Sequence, residues 1–122
     1  MNDKHIRIAR GEARKWNCTV TIDGSQQDLT GCSLGFTVKS AYNHTDGQAI
    51  FKLSIGNGIA IANTISGQYV LTVSTLCTST VVRSNKNTVW FFDHRIKLAD
   101  GNVKQLESGD FIVTPGITDT VV

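Results

Sequence analysis

Arg14-Lys15-Trp16-Asn17-Cys18-Thr19-Val20-Thr21-Ile22 alternates apolar and polar side chains from Trp16 onward. Trp16, Cys18, Val20 and Ile22 fall on one side, and Lys15, Asn17, Thr19 and Thr21 on the other. A period of two is that of a half-buried β-strand. Asp23-Gly24-Ser25 closes the segment with turn chemistry. The pattern then repeats outward. Cys32, Leu34, Phe36 and Val38 point inward against Ser33, Gly35, Thr37 and Lys39. Tyr69, Leu71 and Val73 share a face in residues 68–74, and Phe111 and Val113 share one in residues 110–114. The strongest segment is 87–98, with Trp90, Phe92 and Ile96 on one side.

The remaining segments are read by their turn residues. An opening strand is expected at 5–8, a polar loop at 40–47 and a strand at 49–55. Gly56-Asn57-Gly58 reads as a hairpin turn, since Asn-Gly tolerates positive φ. A short strand at 59–62 and a turn at Ser66-Gly67 follow. Residues 75–87 read as a connection between sheets with one short turn of helix. Ala99-Asp100-Gly101-Asn102 is a second hairpin turn. Residues 103–106 return, Ser108-Gly109 turns again, and Pro115 ends pairing because it has no N–H to give. Eight or nine short strands at regular spacing predict a β-sandwich or barrel.

Composition agrees. Val, Ile and Thr make 36 of the 122 residues, while Glu occurs twice and Pro once. β-Branched residues suit a pleated surface and lose rotamer freedom in helices. No run of about 18 apolar residues is present, so no membrane span is expected. Residues 1–16 lack an apolar signal-type segment, so the chain is expected to fold where it is made. The formal charge is +2, and no nucleic-acid partner is expected. Five of the twelve Lys and Arg residues lie in residues 1–15. That strip reads first as a solvated edge and second as a contact for an acidic partner. Cys18, Cys32 and Cys77 are odd in number and contain no Cys-x-x-Cys. They read as small buried side chains in a reducing compartment, with a Cys18–Cys32 disulfide between adjacent strands as the alternative.

No catalytic constellation emerges. There is no Gly-x-Ser-x-Gly elbow, and the acids sit mostly in turns. His5, His44 and His94 are far apart. His94 reads as a buried histidine hydrogen-bonded through one ring nitrogen rather than a metal ligand, because no second ligand stands at short spacing. Neither an enzyme nor a cofactor is expected. Trp16, Phe36 and Trp90 share faces with other apolar residues and read as core. Tyr42, beside His44 in the polar loop, is the aromatic expected at the surface.

The motifs also have an order. Trp16 is followed by Asp28-Leu29-Thr30-Gly31 and by Phe36-Thr37-Val38-Lys39. Next come Ala49-Ile50-Phe51, Gly58-Ile59-Ala60-Ile61 and Gly67-Gln68-Tyr69-Val70-Leu71. Trp90-Phe91-Phe92-Asp93, Asp100-Gly101-Asn102 and Ser108-Gly109-Asp110-Phe111-Ile112-Val113 complete the set. This order resembles the small immunoglobulin-like β-sandwich domains of tailed-bacteriophage baseplate, tail and fibre-attachment proteins, over residues 14–118. Asp28 is expected to cap the turn at Thr30-Gly31. Gly67 and Gly109 are expected to reverse the chain before an inward aromatic. Asp93 is expected to bond loop amides. The connection at 77–86 departs from the family pattern.

The resemblance implies an all-β fold, a single immunoglobulin-like antiparallel β-sandwich. Its parts would be an N-terminal arm or edge strand (1–13), the sandwich (14–115) and a C-terminal tail (116–122). It implies a structural subunit of the virion, assembled in the host bacterial cytoplasm. Its partners would be other phage structural proteins and further copies of itself, as a trimer or ring. The expected interface residues are Lys4, Arg7, Arg10, Tyr42, His44, Ile117, Val121 and Val122. Trp16, Asp28, Gly31, Phe36, Trp90, Phe92, Asp93 and Phe111 would be structural. The rival reading is a carbohydrate- or receptor-binding module with Tyr42 at its tip.

Overall fold

A computed structural model describes residues 5–41, 43–78 and 86–115. Among them the strands run β1 (His5–Ala9), β2 (Arg14–Thr19), β3 (Thr21–Ile22), β4 (Ser25–Gln26), β5 (Ser33–Lys39), β6 (Phe51–Ile55), β7 (Gly58–Asn63), β8 (Gln68–Val73), β9 (Thr88–Lys97) and β10 (Val103–Thr114). Two short 3-10 turns, Asp46–Gln48 and Thr75–Thr78, are the helical pieces described. The fold is all-β. No described helix is long and apolar enough to cross a membrane.

Eight strands form one sheet in the order β1-β10-β9-β5-β6-β7-β8-β2, nearly closed into a barrel. Within this single sheet, β10-β9-β5-β6 and β7-β8-β2 form two halves that both contribute to one core, in place of the two separate antiparallel sheets expected of an immunoglobulin-like sandwich. Alternation places the core. Leu34, Phe36 and Val38 of β5, Tyr69, Leu71 and Val73 of β8, and Trp90, Phe92 and Ile96 of β9 are all buried. Phe36 stacks on Phe92 at 5.4 Å between ring centroids, and Phe111 stacks on Trp90 at 6.2 Å. Trp16 is half-buried against the same cluster. Such offset and tilted ring pairs add to what area burial alone contributes.

Four local expectations change. The segment 14–22 divides: β2 pairs with β8, while β3 pairs with β4 across the Asp23-Gly24 turn. Positive φ at both turn residues, 53° and 80°, suits that two-residue hairpin. The Gly56-Asn57-Gly58 turn joins two strands that pair parallel, Ser54 with Gly58 and Ile55 with Ile59. The left-handed residues there are Gly56 and Gly58 rather than Asn57, so the turn carries the chain from one half of the sheet to the other. Ser108-Gly109 is not a turn. β10 runs unbroken from Val103 to Thr114, with Gly109 opposite Phe92. A bulge at Leu106 absorbs the extra residue, which lets ten-residue β9 hold both ends of its partner. Finally, β1 pairs parallel with β10, and Ile6 and Ile8 join the core. Two of the seven pairings in the large sheet are therefore parallel.

Other details match the reading. Asp28 Oδ1 accepts the Thr30 N–H at 2.9 Å and the Thr30 hydroxyl at 2.7 Å. These bonds, the hydroxyl's first, hold the Asp28 carboxyl below its ordinary range. Gly31 follows at φ 73°. Gly67 takes φ 73°, and a Cβ there would stand 2.6 Å from the Gln27 carbonyl oxygen. Cys18, Cys32 and Cys77 are free thiols, but of the three expected buried side chains only Cys18 is buried, Cys32 and Cys77 being half-buried. Cys18 lies on β2 and Cys32 just before β5, and these two strands are not neighbours in the sheet.

Candidate functional site

The outward face of β10-β9-β5-β6 follows from strand register. One row across it reads Asp110, Phe91, Lys39. The next reads Ser108, Asp93, Thr37, Lys52, and the third Gln105, Arg95, Gly35, Ser54. Small residues, Gly35, Thr37 and Ser108, occupy the middle, while long ones, Lys39, Lys52, Phe91, Arg95 and Gln105, stand around them. That size contrast makes a trough of about 530 Å³, lined by Gly35, Thr37 and Lys39 of β5 and by Ala41 just beyond it. The volume lies within the range of ligand clefts.

Asp93 takes part in this trough. Its Oδ2 accepts the Arg95 Nε–H at 2.5 Å, and its Oδ1 is enclosed without a hydrogen-bond partner. It therefore faces outward beside Arg95, not toward loop amides, because residues 90, 92, 94 and 96 already fill the inward side of β9. Lys39 Nζ donates to the His44 carbonyl at 3.1 Å, and Ser40 Oγ lies 3.2 Å from His44 Nδ1. These bonds hold the start of the 40–47 loop against the trough.

A second polar cluster is interior. The Tyr69 hydroxyl lies 3.0 Å from His94 Nε2, and both residues are buried. Burial pushes the His94 pKa down to about 4 and drives the Tyr69 hydroxyl far up. Burial also raises the Cys18 thiol, which adjoins Tyr69. The cluster is neutral around pH 7, and His94 is buried and hydrogen-bonded through one ring nitrogen, as the sequence suggested. Among the described residues, no group of three or more His, Cys, Asp or Glu is placed to hold a metal ion.

A third cluster spans the seam between β1 and β2. Glu12 accepts the Ala9 N–H at 2.9 Å and the Arg14 Nη2–H at 2.8 Å. Arg14 Nη1 donates to the Arg7 carbonyl at 2.7 Å, and its guanidinium lies 5.9 Å from the Trp16 ring centroid. The Ala9 N–H first, and then Arg14, hold the Glu12 carboxyl below its ordinary range. Gly11 N–H donates to the buried Thr78 hydroxyl at 2.8 Å.

Of the expected interface residues, Arg7 is exposed on β1. Arg10 begins the turn after it, its N–H bonded to the Thr114 carbonyl. His44 is half-buried in its loop. Lys4, Tyr42, Ile117, Val121 and Val122 lie outside the described residues. Phe91 was missed, although alternation through Trp90 and Phe92 already turns it outward. Gly35 and Thr37 were read as outward but not as a floor, because their neighbours across the sheet are distant in sequence. No family model matches the chain, and no curated protein matches it.

Proposed function

We propose that the protein is a non-enzymatic structural subunit of a tailed-bacteriophage virion, in the tail, neck, baseplate or fibre adaptor, or decorating the capsid. It acts through protein–protein interfaces with other virion proteins and with copies of itself, and it assembles in the host cytoplasm. The ordered motif set motivates the reading. The observation that supports it most is the parallel pairing of β1 with β10, His5 beside Asp110 and Ala9 beside Thr114. The chain thus enters β1 at one end of this edge and leaves β10 at the other. Contacts made by the N-terminal strip and by the segment after Pro115 would join neighbours head to tail. Heterologous contacts of that kind close into rings when the rotation permits. The terminal strand β1 also offers backbone groups for pairing with a neighbour.

Light scattering across a concentration series tests this. A discrete trimer or larger closed ring is expected. A strict monomer at high concentration would contradict the ring and favour the carbohydrate- or receptor-binding alternative.

A further inference from the structure

Strand register also lays out the outer face of β1, β10 and β9. On β1, Ile6 and Ile8 are buried, so His5 and Arg7 point outward. On β10, Phe111 and Val113 are buried, so Asp110 and Ile112 point outward. On β9, Val89 points outward beside buried Trp90. One row across the face therefore holds His5 and Asp110, and the next reads Arg7, Ile112, Val89. Val89 is 49% exposed and Ile112 is half-buried, which gives the face an apolar centre. Arg7 is exposed, and its guanidinium has no ion pair or hydrogen bond to a described residue. Asp110 Oδ2 lies 3.1 Å from His5 Nδ1, and the Asp110 side chain keeps 35% of its surface open.

Neighbouring strands lie about 4.8 Å apart, and residues on one face of a strand follow each other at about 6.7 Å. On that grid Arg7 and Asp110 stand at diagonal corners. The line equidistant from them passes close to Ile112 and then to Val89, with His5 near its other end. A two-fold axis along this line sets Arg7 of each copy over Asp110 of the other, and Ile112 and Val89 over their own counterparts. From this geometry we infer that the outer face of β1, β10 and β9 is a self-complementary contact with a second copy of this chain. Charge complementarity names the occupant, since the face carries both members of the pair it needs. An apolar centre with charged groups at its rim is the ordinary anatomy of such a contact. The contact goes beyond the head-to-tail joining proposed above. It uses a sheet face rather than the ends of the chain, so each reading can fail without the other.

Sedimentation of the full chain at concentrations up to about 1 mM is expected to show pairs, either of single chains or of rings. Arg7→Asp and Asp110→Arg each set like charges face to face, and each is expected to weaken pairing by about tenfold or more. Mixed one to one, the two variants set opposite charges face to face at both positions. A pair holding one chain of each is therefore expected to return, and native mass spectrometry reads it. Its return also shows that both variants fold. Val89→Asp places a charge at the apolar centre and should abolish pairing. Pairing lost in the single variants and regained in their mixture, with no ring present, would uphold this contact and contradict the ring. No pair up to about 1 mM, pairing that survives all three substitutions, or a mixture that stays unpaired would overturn the inference. So would a trimer or other odd-numbered ring whose mass all three variants keep, which would leave the head-to-tail reading standing.

Discussion

The Tyr69 hydroxyl and His94 Nε2 meet at 3.0 Å across the core, joining β8 in one half of the sheet to β9 in the other. This polar contact lies within a largely apolar core. With both rings neutral, the bond satisfies groups that burial would otherwise strand.

Tyr69→Phe removes the hydroxyl and leaves the imidazole nitrogen buried without that partner. The expected loss is about 1–3 kcal/mol, the usual cost of an unsatisfied buried polar group, read from urea unfolding. Combining Tyr69→Phe with His94→Leu should cost less than the sum of the two single changes. Simple additivity would show that the pair is not coupled.

The same pair sets a pH dependence. The folded His94 pKa lies at about 4, below its ordinary 6.5. Between these values the unfolded chain binds a proton that the folded chain does not. His94 therefore contributes stability above pH 6.5 that is lost as pH falls toward 4, by up to about 3 kcal/mol. Glu12 and Asp28, whose values are lowered, lose their contributions only further into the acid range. Glu107 stands opposite His94 in the β9–β10 ladder, so the comparison needs a variant. His94→Gln should flatten the stability profile between pH 6.5 and 5. An unchanged slope would assign the effect to other groups.

Gly35 and Gly67 should respond oppositely to alanine. At Gly67 the backbone is left-handed and the new Cβ would press on the Gln27 and Val20 carbonyl oxygens, at 2.6 and 3.0 Å. A loss greater than about 1 kcal/mol in thermal unfolding is expected. At Gly35 the Cβ meets nothing within 4 Å and the backbone is ordinary strand. Gly35→Ala should be neutral or slightly stabilising, since Gly weakens a strand interior.

The seam cluster predicts a local effect. Glu12→Ala frees both the Ala9 N–H and the Arg14 guanidinium. Both side chains are more than a third exposed, so the global cost should be modest, about 0.5–1 kcal/mol. Hydrogen exchange is the sharper readout. The β1 amides should exchange faster while those of β9 do not change. Equal acceleration throughout would mean that β1 does not open separately.

Much of the fold was legible because a strand's side chains alternate whatever lies beside it. That stereochemistry alone placed Phe36, Tyr69, Leu71, Trp90, Phe92 and Phe111 inward, and it applied equally to Phe91 in the opposite sense. The Asp28 cap and the Gly67 turn were legible for the same reason: their partners lie within a few residues or their backbone demands are local. The trough was not, because Lys52, Arg95 and Ser108 become neighbours only when β6, β9 and β10 align.

The chain by itself determined an all-β fold, the inward face of most strands, and a buried His94. Tertiary structure alone decided who stands beside whom. It made β1 parallel to β10, carried the chain between sheet halves at Gly56–Gly58, kept Ser108-Gly109 within a bulged strand, and gave His94 its Tyr69 partner. The reason is physical. Alternation and turn propensity are properties of neighbours along the chain, whereas register and pairing emerge from burying the whole core at once.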